Sequence, residues 1–87
     1  NSVPLTVSVE SPMSEDDFVE AVTVLATGNP NIDVATFQFS PASGQAAATT
    51  RIRLAKTQDV VALARMSDGS VYIDRAEVKV TLGGCGG

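Results

Sequence analysis

The 87-residue sequence contains no histidine, no tryptophan and a single cysteine. Without histidine the chain lacks the commonest general base at neutral pH and the commonest metal ligand. One thiol and no imidazole exclude a zinc finger or a Cys–His nucleophilic pair assembled within this chain. A lone cysteine also has no partner for an internal disulfide. Basic residues are scarce: 6 Lys and Arg stand against 10 Asp and Glu, a net charge of −4. That balance argues against a nucleic-acid surface. No apolar run approaches the roughly 20 residues that span a bilayer. No secretory signal precedes Asn1, but a mature chain would have lost one, so the compartment stays open.

What is present is enough for one small domain. Hydrophobic residues make up 44% of the chain, so a core can form, though a modest one for which a partner subunit would help. The dominant period is two. Val3, Leu5, Val7 and Val9 alternate with Pro4, Thr6, Ser8 and Glu10, the pattern of a half-buried strand that Ser11-Pro12 ends. Residues 18–26 also fit helical spacing at Phe18, Ala21, Val22 and Leu25, and Ser14 with Asp17 resembles a capping box. The β-branched content and the Gly28-Asn29-Pro30-Asn31 turn favour a strand. Ala35, Phe37 and Phe39 share a face of residues 34–40, and Pro41-Ala42-Ser43-Gly44 turns the chain. Ala48, Thr50, Ile52 and Leu54 alternate with Thr49, Arg51 and Arg53. Residues 60–66 follow, then the hairpin turn Ser67-Asp68-Gly69-Ser70. A short strand at Val71 and Ile73 and a last one carrying Ala76, Val78, Val80 and Leu82 complete the series. About seven short strands with turns every 8–12 residues predict an all-β, immunoglobulin-like antiparallel β-sandwich. The antibody hallmarks, a Cys pair and a Trp, are absent.

Residues 18–26 and 60–66 are apolar on both faces, where a two-layer sandwich should leave one face wet. Either another chain covers the second face, which is the preferred expectation, or these are central strands under a long loop. Catalytic constellations are missing. Glu15, Asp16 and Asp17 read as a solvated turn, Arg51 and Arg53 as a solvated outer face, and Asp59, Asp68, Asp74 and Glu77 as scattered surface charge. No phosphate-binding loop or metal cluster occurs.

The exception is the end of the chain, Gly83-Gly84-Cys85-Gly86-Gly87. Residues 1–82 read as the sandwich and 83–87 as an arm. Glycine holds an ordered segment poorly, so the arm is expected to fray into solvent and present its thiol. Fully extended, five residues reach roughly 15–18 Å, enough to enter a pocket in another protein. The thiolate is the reactive form, and an isolated cysteine titrates near about 8.5. Nothing beside Cys85 in sequence favours ionisation and the terminal carboxylate disfavours it. Activation is therefore expected from the pocket that receives the arm, as suits a carrier.

The run Val78-Lys79-Val80-Thr81-Leu82 followed by Gly83-Gly84-Cys85-Gly86-Gly87 resembles the C-terminal swinging arm of the SoxY family, sulfur-carrier subunits of bacterial thiosulfate oxidation. Val3-Pro4-Leu5, Ser11-Pro12-Met13, Gly28-Asn29-Pro30, Ala35-Thr36-Phe37, Ser40-Pro41-Ala42-Ser43-Gly44, Arg51-Ile52-Arg53-Leu54-Ala55 and Met66-Ser67-Asp68-Gly69 are similar to that family too. The resemblance implies a non-catalytic sulfur carrier in the periplasm with no cofactor of its own, and a further segment ahead of Asn1. It implies that Cys85 holds thiosulfate-derived intermediates while Gly83, Gly84, Gly86 and Gly87 give freedom and clearance. It also implies a heterodimer with SoxZ. The cytochrome SoxAX would load the thiol, the manganese-dependent hydrolase SoxB would release sulfate, and in some organisms SoxCD would oxidise the remaining sulfane. The alternatives are a related carrier for another periplasmic oxidation system, and a structural sandwich whose cysteine makes an interchain disulfide.

Overall fold

The computed structural model describes residues 2–80. Six strands follow one another: β1 (Ser2–Val9), β2 (Val19–Ala26), β3 (Asp33–Gln38), β4 (Ala46–Arg53), β5 (Gln58–Met66) and β6 (Val71–Val78), with a 3-10 turn at Pro41–Ser43. They form two antiparallel sheets, β1-β4 and β3-β2-β5-β6. The all-β sandwich is the one expected, with six strands among the described residues rather than about seven. The difference lies in β6, where the two short strands expected at Val71–Ile73 and from Ala76 onward run together. Asp74 and Arg75, which looked like an interruption, stay in the ladder opposite Ala62 and Val61. Leu82, the last apolar residue of that expected strand, lies outside the described residues.

Alternation becomes layering. In β1, Val7 is buried and Val3, Leu5 and Val9 are half-buried, while Ser2, Pro4, Thr6 and Ser8 face water. Pro4 is tolerated because β1 has a neighbour on only one side. In β4, Ala46 and Ile52 are buried while Arg51 and Arg53 are exposed, the outer face that the sequence predicts. Between the sheets, Val19, Val22, Val24 and Leu54 are almost completely enclosed. Burying each such side chain contributes roughly 1.5–3 kcal/mol.

The doubly apolar segments are the central strands, β2 and β5. Register places Val22, Val24 and Ala26 beside Ala64, Ala62 and Val60, facing the core. Leu25 and Thr23 lie beside Val61 and Leu63 on the opposite face. There Val61 is buried, and Leu25 and Leu63 are half-buried. The exposed bulk is next door, on the edge strand: Val71, Tyr72 and Ile73 are 53%, 63% and 67% exposed.

The turns follow their residues. Gly44 and Gly69 adopt φ of 78° and 89°, a region that glycine enters without a side-chain clash. Asp68 closes the β5–β6 hairpin by accepting from the Ser70 amide at 2.9 Å and the Ser70 hydroxyl at 2.6 Å. These bonds, the hydroxyl's foremost, hold its carboxyl below the usual value. Ser14 and Asp17 exchange backbone hydrogen bonds of 3.0 and 3.1 Å around Glu15 and Asp16. The apparent capping box is thus a two-residue turn ahead of a strand.

Candidate functional site

Cys85 and the flanking Gly83, Gly84, Gly86 and Gly87 lie outside the described residues. What the fold positions is the place from which they depart. The β6 ladder ends at Val78, opposite Gln58 at the start of β5. Two residues on, Val80 packs against the core as a half-buried side chain. Its amide donates to Thr57 Oγ1 at 2.8 Å. Val80, the last described residue, is therefore tied to a corner of the sandwich.

A polar knot stiffens that corner. Gln58 is the buried polar residue of the domain among those described, 7% exposed. Its Oε1 accepts from Gly28 N–H at 2.7 Å, and its Nε2 donates to the Lys56 carbonyl at 2.8 Å and to Asn29 Oδ1 at 3.0 Å. Asn29 extends the network across the β4–β5 loop: Nδ2 donates to the Arg53 carbonyl at 2.8 Å, and Oδ1 accepts from Ala55 N–H at 3.0 Å. Three segments, the β2–β3 turn, the β4–β5 loop and the first residue of β5, are tied through two side-chain amides. Gly28 permits the approach, because a Cβ there would sit 3.1 Å from Gln58 Cβ and from Lys56 Cε. Sequence reading saw Gly28-Asn29-Pro30-Asn31 only as a turn and Lys56-Thr57 only as a connector. The available signal was the pair Asn29 and Gln58, each preceding or opening an apolar strand where a neutral amide can be enclosed without an ionisation penalty.

Gln58→Leu is expected to lower unfolding free energy by about 1–3 kcal/mol, the cost of leaving enclosed donors and acceptors unmatched. Urea denaturation of the purified domain measures it, and an unchanged midpoint would show that the knot contributes nothing.

An apolar cleft of about 530 Å³ opens between the free edges of β1 and β6, with Leu5, Val7, Val60, Ala62 and Val78 among its walls. Charges elsewhere are solvated. Arg65 Nε meets Glu20 Oε1 at 3.0 Å with both side chains substantially exposed, and such a pair stabilises little. Among the described residues no group of three or more His, Cys, Asp or Glu side chains could hold a metal ion. No helix among them is long and apolar enough to cross a membrane.

Two antiparallel sheets packed over a single core define an all-β, immunoglobulin-like sandwich domain. The family of sulfur oxidation protein SoxY matches residues 1–85, and the chain belongs to the SoxY family, the sulfur carriers of sulfur oxidation. The structure of the sulfur carrier protein SoxY from Chlorobium limicola f thiosulfatophilum superimposes with a TM-score of 0.74 at 28% identity, over 94% of this chain and 68% of that one. Two single-residue variants of the superoxide reductase (neelaredoxin) from Ignicoccus hospitalis superimpose with TM-scores of 0.81 and 0.80. Their identities are 19% and 17%, and each match covers 93% of this chain and 69% of the other. At those identities the likeness is one of fold alone. No curated protein matches.

Proposed function

We propose that the protein is a covalent carrier that holds thiosulfate-derived sulfur on Cys85 and presents it, on the arm 83–87, to the enzymes of a periplasmic Sox system. The observation that supports it most is the joint one of SoxY membership and a single cysteine set between two glycine pairs. The sandwich 1–82 then serves as the platform. In loading, the Cys85 thiolate bonds to the sulfane sulfur of thiosulfate, giving Sγ–S–SO3⁻, and two electrons leave for the cytochrome SoxAX. In unloading, water takes the sulfonate group as sulfate with release of two protons, and the persulfide stays on Cys85. SoxB performs that hydrolysis, and SoxCD, where present, oxidises the remaining sulfane. The carrier supplies neither acid, base nor metal to these steps, in keeping with a chain that has no histidine.

SoxZ is the proposed heterodimer partner, seated on the outer face where Leu25, Val61 and Leu63 continue into Ile73 and Val71 of β6. Covering that face would remove from water the apolar groups that an 87-residue chain leaves outside its core.

Glycine beside the thiol serves access. Gly84→Val or Gly86→Val is expected to leave the melting temperature within about 4 °C of wild type, because surface changes alter stability by no more than roughly 0.5 kcal/mol. Loading and unloading of Cys85 should nevertheless slow, since a β-branched side chain stiffens the arm and crowds a narrow channel. Differential scanning calorimetry with timed thiosulfate turnover checks both halves. A large fall in melting temperature with normal turnover would contradict the role given to these glycines.

A further inference from the structure

We propose that Thr57 is the positioning residue that fixes the root of the sulfur-carrying arm, an inference that rests on the carrier function proposed above. Hydrogen-bonded pairs in an antiparallel ladder recur at every second residue. Met66 N–H donates to the Ser70 carbonyl at 2.8 Å, and the β5–β6 register runs from Arg65 opposite Val71 to Gln58 opposite Val78. The even-numbered β5 residues are therefore the hydrogen-bonded ones, and the next such pair past Gln58 and Val78 would join Lys56 to Val80. Both groups bond elsewhere. The Lys56 carbonyl accepts from Gln58 Nε2 at 2.8 Å, and Val80 N–H donates to Thr57 Oγ1 at 2.8 Å. The same hydroxyl lies 3.5 Å from the Val80 carbonyl, too far to add much.

Thr57 thus supplies the acceptor that Lys56 would supply in a continued ladder, while the Lys56 carbonyl serves the Gln58 knot. The ladder stops at Val78, yet Val80 two residues on stays tied to the loop ahead of β5. Val80 has a second anchor in its contact with the core. From Val80, the last tied residue, five residues lead to Cys85, Thr81 and Leu82 and then the glycines of the arm, a span of at most roughly 16–18 Å. Were the root released to Val78, two residues would join the tether and lengthen it by roughly 7 Å. Effective concentration falls as about the −3/2 power of tether length, and the direction in which the arm departs would no longer be set.

The test compares wild type, Thr57→Val and Thr57→Ser, each as the heterodimer with its partner subunit. Two quantities are read: hydrogen exchange at the Val80 amide, and steady-state loading of Cys85 by the thiosulfate-coupling cytochrome. Valine keeps the shape and removes the acceptor. It should raise Val80 exchange by roughly 2- to 10-fold, the equivalent of one ordinary hydrogen bond. Loading kcat should fall by up to roughly 1.7-fold with KM unchanged, because docking is untouched while the arm's presentation is not. Serine keeps the hydroxyl and should restore both values. Unchanged Val80 exchange in Thr57→Val would overturn the clamp. Faster exchange with wild-type loading, or no rescue by serine, would overturn the positioning role. Failure of wild-type Cys85 to take any sulfur would instead bring down the carrier function itself, and the wild-type arm alone shows that outcome.

Discussion

Cys85→Ser is expected to abolish thiosulfate-dependent electron transfer in a reconstituted Sox system while leaving the fold and the partner unchanged. Serine is nearly isosteric with cysteine, but its oxygen cannot form the S–S bond through which two electrons are released. No other thiol in the chain can substitute, since Cys85 is the only one. The core is built from Val7, Val19, Val22, Val24, Leu54 and their neighbours in the sandwich, so the change should leave circular dichroism and melting temperature as in wild type. Cytochrome reduction after addition of thiosulfate is the readout. Electron transfer at the wild-type rate by the serine variant would contradict the carrier function.

Ile73→Asp is expected to separate the subunit from SoxZ. Ile73 is 67% exposed and sits opposite Leu63 of β5. A charge at this position costs the isolated domain little, because water already reaches it. In an apolar interface the same carboxylate would be buried without a partner, a cost of several kcal/mol. Loss of a central interface residue at about 2 kcal/mol or more weakens binding by roughly 30-fold or more. Sedimentation velocity of the mixed subunits at micromolar concentration should show one heterodimer boundary for wild type and separate boundaries for the variant. An Ile73→Asp protein that still co-sediments with SoxZ would place the interface elsewhere. A wild-type subunit that is well folded, monodisperse and monomeric alone at micromolar concentration would contradict an obligate or near-obligate heterodimer.

Much of the sandwich was legible because its strands are half-buried. In β1 and β4 each second residue meets water, so the alternation of Val3, Leu5, Val7 and Val9 or of Ala48, Thr50, Ile52 and Leu54 writes the layer into the sequence. The strand β6 escaped for the opposite reason. Its residues from Val71 to Glu77 are all exposed, so burial imposes no alternation and Asp74-Arg75 reads as a break. The ladder to β5, invisible in composition, holds it as one element. The Ser14–Asp17 pair was ambiguous, since a hydroxyl and a carboxylate three residues apart suit both a helix start and a tight turn, and the β-branched content of residues 18–26 decided rightly for a strand. At Val80 the pattern was silent, because Thr57, Gln58 and Asn29 act through hydrogen bonds between residues 23 to 30 positions apart. Cys85 is the reverse case. The role proposed for it rests on residue types and resemblance alone, and it lies outside the described residues.

The most direct measurement is the intact mass of the protein purified from cells oxidising thiosulfate, before and after dithiothreitol. The carrier function predicts Cys85 bearing an –S–SO3⁻ group or added sulfane sulfur. Dithiothreitol should remove either adduct by thiolate attack on the S–S bond and return the free thiol. A wild-type mass with a free Cys85 throughout turnover, or a covalent dimer through Cys85 in its place, would contradict it.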